Sequence, residues 1–353
     1  MGNRRSTIQS AIRKGVESIC RLLEENILAH PSYGETAVFG PVPSRRLGRS
    51  LGVNNIRRKT CSYDCTYCQS GRTTERTVCR DSHVNPYELF CIASNKVRLL
   101  SSRSIGIDCV SFVPNGEPTL DLCLSKSIVL IRELGFKTAV LTNSSLLWND
   151  TVKENLLFAD YVSAKIDTVD EGTWRRLNRP HRRLRFQTIL NGLEDFSGSY
   201  QGVLTTETML VKNANDSIGE VKAIGEFLRG VKRRTSYFAV PVRPPADLRA
   251  GAPSRSTLSD IADFVKANIP DSEMLCRPEE NNFQGAGDME QELLGILSVH
   301  PMNEEAVESF IRSKGGSPDT LNDLTCRNAV SSSSFRGTTF YRRNERINSA
   351  AVS

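Results

Sequence analysis

The sequence predicts an α/β fold, built as a partial barrel of six strand–helix units in a (β/α)6 arrangement. Between about residues 49 and 267, short apolar runs rich in β-branched residues alternate with longer amphipathic runs. Strands that are hydrophobic along most of their length and separated by helices are typical of a parallel sheet covered on both faces. Six units are fewer than the eight of a closed barrel, so we expect a partial one.

The predicted elements alternate along the chain. Each strand is a short apolar run, because a buried parallel sheet needs apolar side chains on both faces; the strands are residues 50–56, 108–113, 138–142, 161–166, 203–211 and 237–242. Each helix is a longer amphipathic run that can cover the sheet; the helices are residues 86–100, 123–134, 150–159, 186–196, 218–231 and 258–267.

The pattern of residues 1–36 predicts an N-terminal amphipathic helix. The predicted barrel follows it and spans residues 37–280. Apolar residues recur at helical spacing to about residue 29; they are Ile8, Ile12, Val16, Ile19, Leu22 and Leu23. The first six residues also fit the loose N-myristoylation pattern, so a lipidation or transit signal is the alternative. No apolar signal-peptide core follows.

The region after the barrel predicts a small helical unit that resembles a winged helix, spanning residues 281–345. Residues 289–300, 304–313 and 318–324 have the pattern of three short helices, and alternation from 331 to 343 indicates a closing hairpin. Residues 281–288, rich in Asn and Gly, are the predicted linker. A short tail, residues 346–353, follows.

Composition favours a cytoplasmic protein with no membrane partner. Hydrophobic residues make up 39% and charged residues 24% of the chain, and no apolar run approaches the length of a membrane span. The net charge of +6 is well below that of a dedicated nucleic-acid binder. Ten cysteines without a secretion signal argue against a disulfide framework and for metal chemistry.

Polar residues cluster where the predicted strands end. In parallel α/β folds the carboxyl ends of the strands meet at one edge, and ligands bind there. The residues at these positions are the cysteines after the first strand, Asn115 to Pro118, Asn143, Lys165, Asp167 and Arg243, and Glu207 lies within the fifth strand. The sequence therefore predicts one site at this edge.

Three of the ten cysteines, Cys61, Cys65 and Cys68, have the spacing CxxxCxxC. Thiolates are soft ligands that suit iron–sulfur clusters or zinc. A structural zinc site needs four ligands, so zinc would have to recruit a fourth, and the candidates are Asp64, Cys79 and His83. Three thiolates on a four-iron cluster would leave one iron open to a substrate. A [4Fe–4S] cluster is the favoured interpretation, with zinc and unligated thiols as alternatives.

Several longer motifs extend this pattern. The cysteine motif extends over residues 59–69, and Tyr67 gives it an aromatic residue before its last cysteine. Five further stretches lie at residues 39–53, 114–120, 141–148, 178–181 and 241–246. With these motifs the chain resembles the radical S-adenosylmethionine superfamily, within a group labelled Fe–S oxidoreductase or wyosine-synthesis-related. The resemblance covers about residues 37–343.

The resemblance implies two cofactors, a [4Fe–4S] cluster on the three cysteines and S-adenosylmethionine on its open iron. Asn115-Gly116-Glu117 takes the place of a Gly-Gly-Glu motif that accepts the amino group of the cofactor, with Asn replacing the first glycine. The residues that the resemblance assigns to cofactor binding are Tyr67, Asn115, Gly116, Glu117, Asn143, Ser163, Lys165 and Glu207. No catalytic residue is assigned beyond the cluster.

The implied reaction is reductive cleavage of S-adenosylmethionine to a 5′-deoxyadenosyl radical, which abstracts hydrogen from a substrate. The partners are an external one-electron reductant and an unidentified substrate: RNA, a peptide or a small molecule, with tRNA modification one possibility. The tRNA wyosine synthases carry a second cluster near the N-terminus, whereas Cys20 alone precedes Cys61 here. The alternative from another class is a non-catalytic zinc protein whose C-terminal unit contacts RNA or protein.

The densest basic run could bind a phosphate or an RNA backbone, or form a solvated helix face; it comprises Arg175, Arg176, Arg179, Arg182, Arg183 and Arg185. Three further arginines lie just before the cysteines and could line the opening of the same predicted site; they are Arg45, Arg46 and Arg49. Trp174 and His181 are interpreted as structural.

Overall fold

The computed structural model describes residues 37–57, 59–277, 281–317 and 319–344. The helix predicted for residues 1–36 and the tail predicted for residues 346–353 lie outside the described residues. Within that part of the chain, no helix is both long enough and apolar enough to cross a membrane.

The barrel region contains ten strands among the described residues. They are β1 (Val38–Ser44), β2 (Gly48–Val53), β3 (Thr60–Cys61), β4 (Glu75–Arg76), β5 (Cys109–Phe112), β6 (Thr138–Thr142), β7 (Tyr161–Lys165), β8 (Val203–Met209), β9 (Thr235–Ala239) and β10 (Ser272–Leu275). Eight of them form a sheet in the order β1-β2-β5-β6-β7-β8-β9-β10, and every neighbouring pair is parallel except β1 with β2. The short pair β3 and β4 lies in the loop after β2.

Helices connect the parallel strands, as predicted, and polar residues cap several of them. Asn85, Asn149 and Ser217 each accept a hydrogen bond from a backbone N–H in the first turn. The helices are α1 (Pro86–Ser102), α2 (Leu124–Arg132), α3 (Asp150–Leu156), α4 (Glu171–Asn178), α5 (Phe186–Ser199), α6 (Ile218–Leu228) and α7 (Arg255–Asn268). A 3-10 turn, Pro118–Leu120, follows β5.

The six predicted parallel strands are present, and the sheet extends beyond them at both edges. β1 contains Pro41 and Pro43, which mask a strand pattern but are tolerated at an edge, where a missing N–H breaks no ladder. β10 is short and has one buried residue, Leu275, so it lacks an apolar run. The predictions missed both strands for these reasons. They also missed α4, which lies between β7 and α5.

The main core lies between the sheet and its helices. Leu51, Val110, Val140 and Val162 stand on four consecutive strands and have no exposed surface. A run of such residues across neighbouring strands is the pattern expected for a sheet buried on both faces. The sheet is therefore a rigid base for the loops at its carboxyl edge.

The C-terminal unit contains the three helices and the hairpin that were predicted, in that order. Its elements are α8 (Met289–Val299), β11 (Met302–Asn303), α9 (Glu304–Ser313), α10 (Asp319–Cys326), β12 (Val330–Phe335) and β13 (Thr338–Arg343), and its sheet has the order β11-β13-β12. Its core includes Phe310 and packs on Phe39 and Val42 of β1. The predicted division of the chain at residue 281 stays a prediction.

Candidate functional site

A cavity of about 310 Å³ lies at the carboxyl end of the parallel strands, where the sequence predicted a site. Cys61, Cys65 and Cys68 line it. So do seven of the eight residues predicted to bind the cofactor, namely Tyr67, Gly116, Glu117, Asn143, Ser163, Lys165 and Glu207. Asn115 does not line the cavity. It is buried, and its backbone N–H donates to Asn54 Oδ1 at 3.3 Å.

The cysteine loop follows β2 and is held by backbone hydrogen bonds. Thr77 N–H donates to the carbonyl of Cys61 at 3.0 Å, which ties both sides of the loop together. Asp64 and Thr66 N–H groups donate to the carbonyls of Asn178 and Leu177 at 3.0 and 2.9 Å, respectively. The end of α4 therefore fixes the middle of the loop and leaves the three cysteines half-buried at the cavity.

Each of the three sulfurs accepts a hydrogen bond from a different side chain. Asn143 Nδ2 lies 3.4 Å from Cys61 Sγ, and Asn178 Nδ2 lies 3.4 Å from Cys65 Sγ. Lys59 Nζ lies 3.1 Å from Cys68 Sγ. Donors aimed at sulfur stabilise negative charge on it, which thiolate ligands carry.

The pKa values of the three thiols differ because their surroundings differ. Burial, and then the charge of Glu117, raises the pKa of Cys61 to about 12. Burial, and then Asp167, raises the pKa of Cys65. Burial also acts on Cys68, but the ammonium of Lys59 outweighs it, so the pKa of Cys68 is lowered. Cys68 is thus the most acidic of the three, and the other two lose their protons when a metal binds.

The donor set fits an iron–sulfur cluster. Soft sulfur ligands around one cavity are the ligands that such clusters use. Within the ranges that the structure describes, no three His, Cys, Asp or Glu side chains are arranged to hold a single metal ion.

Glu117 joins the ends of β5 and β6. Its Oε1 accepts hydrogen bonds from the backbone and hydroxyl of Thr119 and from the hydroxyl of Thr142, and its Oε2 accepts from Asn143 N–H at 2.7 Å. Burial raises the pKa of Glu117, although these hydrogen bonds oppose the shift. Oε2 retains an acceptor position for a further donor.

Glu207 lies in a charged cluster with two cations. Its Oε1 is 2.9 Å from Lys165 Nζ, and its Oε2 pairs with Arg46. Arg46 also donates to Ser163 Oγ at 3.2 Å. Burial would raise the pKa of Glu207, but the two cations hold it well below its usual range. Two cations and one carboxylate leave this wall of the cavity with a net positive charge.

Tyr67 is fixed by Asp167, which follows β7. The hydroxyl of Tyr67 donates to Asp167 Oδ2, which also accepts from Asn178 Nδ2 at 2.7 Å. Lys165 Nζ lies 4.8 Å from the centre of the Tyr67 ring, within cation–π distance. Asn178 therefore links the Tyr67–Asp167 pair to the sulfur of Cys65.

The predicted arginines divide between the cavity and the surface. Arg45 and Arg46 line the cavity, whereas Arg49 pairs with Asp108 at 2.8 Å, beside the start of β5. In the basic run, Arg175 pairs with Glu171 at 2.6 Å and Arg179 with Asp247 at 2.7 Å. The other members of the run are exposed; they are Arg176, Arg182, Arg183 and Arg185.

Trp174 and His181 have structural contacts, in line with their interpretation. The indole N–H of Trp174, which is buried, donates to the hydroxyl of Tyr63 at 3.0 Å. The backbone N–H of His181 donates to the carbonyl of Ser62 at 2.9 Å, next to Cys61.

The sequence-based predictions did not assign Lys59 or Asn178 to the site. Lys59 and Asn178 stand at the ends of motifs that carried the resemblance, and this was the available signal. Their roles depend on contacts across the fold, since Asn178 is 113 residues from Cys65.

Comparisons with known proteins agree with the predicted resemblance. "UPF0026 protein MJ1312" of Methanocaldococcus jannaschii is 37% identical over 311 residues, which are 88% of this chain and 96% of that protein. An "S-adenosylmethionine-dependent nucleotide dehydratase" of Flammeovirga pacifica is 22% identical over 65% of this chain and 73% of that protein. No protein-family model matches the chain.

A solved structure supports the fold. The crystal structure of a radical SAM methyltransferase from Sphaerobacter thermophilus aligns with a TM-score of 0.50 at 16% identity, covering 64% of this chain and 66% of the other. The predicted α/β partial barrel of the radical S-adenosylmethionine enzymes is thereby confirmed as the fold.

Proposed function

This chain belongs to the UPF0026 family and has the radical S-adenosylmethionine fold, and from that premise we propose that it cleaves S-adenosylmethionine reductively at a [4Fe–4S] cluster. The observation that carries the proposal is the set of three half-buried cysteines facing one cavity, each with an N–H donor on its sulfur. When bound, the cluster supplies the electron that breaks the carbon–sulfur bond and yields a 5′-deoxyadenosyl radical for hydrogen abstraction.

The cavity wall offers partners for the polar groups of S-adenosylmethionine. The cofactor carries an amino group, a carboxylate and two ribose hydroxyls, and each needs a partner when buried. We assign the amino group to Glu117, whose Oε2 can accept one more hydrogen bond. Ser163, Asn143 and Glu207 line the same cavity and suit the hydroxyls, while Lys165 adds positive charge for the carboxylate.

Two sets of contacts around the cavity support the proposed chemistry. Lys59, Asn143 and Asn178 hold the three sulfurs and stabilise their charge. The C-terminal unit covers one side of the cavity, because Val299 and His300 line it. A covered cavity limits the access of water, which would otherwise compete for a reactive intermediate.

The electron has to come from an external one-electron reductant. The substrate is RNA, a peptide or a small molecule, and tRNA modification is one activity within this range. We place the protein in the cytoplasm, where thiols are kept reduced, and class it as an oxidoreductase of the iron–sulfur type.

The test is anaerobic reconstitution with iron and sulfide, reduction with dithionite and addition of S-adenosylmethionine. We expect 5′-deoxyadenosine from the wild type and none from a Cys61→Ala/Cys65→Ala/Cys68→Ala variant. The matched control changes three cysteines that do not line the cavity, Cys79, Cys123 and Cys326, to Ala; it should keep the wild-type iron content and product.

The outcomes separate the proposal from the zinc alternative. Iron and sulfide bound through the three cysteines, with deoxyadenosine formed, supports the proposal. A protein that retains zinc and assembles no cluster would overturn it in favour of the non-catalytic zinc protein.

A further inference from the structure

A second cavity, of about 370 Å³, lies between the carboxyl end of the barrel and the C-terminal unit. On the barrel side it is lined by Val242 and Arg243, which follow β9, and by Cys276, which follows β10. On the other side it is lined by both strands of the β12–β13 hairpin. Val242 and Arg243 also line the first cavity, so the two cavities share a wall. A molecule in the second cavity would lie next to the proposed S-adenosylmethionine site.

The described residues that line this cavity include two arginines, two asparagines and three phenylalanines, and none of the described lining residues is a carboxylate; the others are Val242, Cys276, Pro301, Met302 and Thr338. Guanidinium groups bind phosphate or carboxylate through two parallel hydrogen bonds. Phenylalanine rings pack against flat rings in stacked or edge-to-face geometry. The arginines, asparagines and phenylalanines of the lining are Arg243, Arg336, Asn281, Asn303, Phe283, Phe335 and Phe340.

Arg243 is held in place from the cysteine loop. Its Nη1 donates to Gln69 Oε1 at 3.1 Å, and Gln69 directly follows Cys68. The amide of Gln69 in turn donates to the carbonyl of Val299 at 3.3 Å. Arg243 therefore connects the shared wall to the cysteine loop and, through Gln69, to the C-terminal unit.

The other side of the cavity is built on the hairpin. Arg336 lies exposed at the turn between β12 and β13, while Phe335 is buried at the base of that turn. Across the cavity, Phe283 packs edge-on against His300, with ring centres 5.2 Å apart. His300 lines the first cavity, so this aromatic pair stands between the two cavities.

We propose that the second cavity binds the substrate, and that the substrate is a ribonucleoside phosphate, either free or within RNA. Its phosphate would pair with Arg336 and Arg243, and its base would pack against the phenylalanine rings. The volume lies within the range of about 300–1,000 Å³ that is usual for small-molecule sites. The inference rests on the proposed function only for what happens to the bound molecule, since binding itself needs no cluster.

The test is equilibrium binding to the full chain without added S-adenosylmethionine. The probes are the four ribonucleoside 5′-monophosphates, the matching nucleosides, inorganic phosphate and a short single-stranded RNA. We expect at least one monophosphate or the RNA to bind about tenfold or more tightly than every nucleoside and than inorganic phosphate. The reason is that the phosphate charge and the base ring both contribute to binding.

Two variants and one control test the location. Arg336→Ala is at an exposed turn and should not affect folding, and it should weaken nucleotide binding by about tenfold. Phe340→Ala should weaken binding of the nucleotide but not of inorganic phosphate. Arg312→Ala removes the same charge from an exposed position of α9 that does not line the cavity, and it should leave binding unchanged.

Binding of RNA in preference to every monophosphate would support the inference and identify RNA as the source of the nucleotide. Equal binding of inorganic phosphate and nucleotides, no binding of any probe, or full binding by Arg336→Ala would overturn it. Failure of the proposed function has a different signature. In that case the reconstituted protein makes no deoxyadenosine while nucleotides still bind through Arg336.

Discussion

Gly116 offers the sharpest test of how the site is built. A Cβ atom on Gly116 would lie 2.1 Å from the carbonyl oxygen of Thr60 and 3.1 Å from Ile56 Cγ2, whereas real Cβ contacts stay beyond 3.0 Å. The obstacle at Thr60 is backbone, which cannot rotate away. Gly116→Ala must therefore push the two segments apart by most of an ångström.

This displacement acts directly on the cysteine loop. The same carbonyl of Thr60 accepts a hydrogen bond from Glu117 N–H at 3.1 Å, and Thr60 precedes Cys61. Overpacking and the weakened hydrogen bond together should cost about 2–4 kcal/mol of unfolding free energy. At about 2.1 cal/mol/K of unfolding entropy per residue, this lowers Tm by about 3–5 °C.

The assay is thermal unfolding of the metal-free protein, together with iron bound per chain after anaerobic reconstitution. Gly198→Ala is the matched control. Gly198 lies in α5, and no atom lies within 4 Å of the place that an added Cβ would take, so alanine should be neutral or stabilise the helix by up to about 1 kcal/mol. If Gly116→Ala keeps both the wild-type Tm and the wild-type iron content, the close approach to Thr60 does not position the cysteine loop.

Three further predictions concern charge, thiol acidity and packing. Glu207→Gln should lower the free energy of unfolding at neutral pH, because two cations keep the pKa of Glu207 low despite its burial. The difference in unfolding free energy between wild type and variant should be complete above about pH 5 and shrink as the pH falls toward about 2. Urea unfolding of both proteins across that range measures the effect, and a constant difference would contradict it. In the metal-free protein at about pH 8, iodoacetamide should modify Cys68 before Cys61, and Lys59→Met should slow the reaction at Cys68; peptide mass spectrometry that finds equal rates would count against this. Phe310→Ala should cost about 3–5 kcal/mol because the ring is buried in the C-terminal core, and wild-type melting would disprove that role.

The fold could be predicted because its signals are local. A parallel strand buried on both faces is mostly apolar, and β5 and β6 have that pattern. The strands at the sheet edges have no such requirement. β1 carries prolines that an edge tolerates, and β10 has one buried side chain. At β1 the prolines interrupt the strand pattern although the strand is largely buried, whereas at β10 the pattern weakens because burial does.

From the sequence come the prediction of three sulfur ligands, through cysteine spacing within eight residues, and the prediction that the strand ends gather around them. Tertiary packing sets which N–H groups reach the sulfurs: Asn143 and Asn178 are 82 and 113 residues away from the cysteines that they contact. It also decided that Arg46 and Lys165 share the carboxylate of Glu207, and that a second cavity forms beside the C-terminal hairpin. The reason is physical. Periodicity and spacing act along the chain, whereas hydrogen bonds, ion pairs and cavities depend on how distant segments pack.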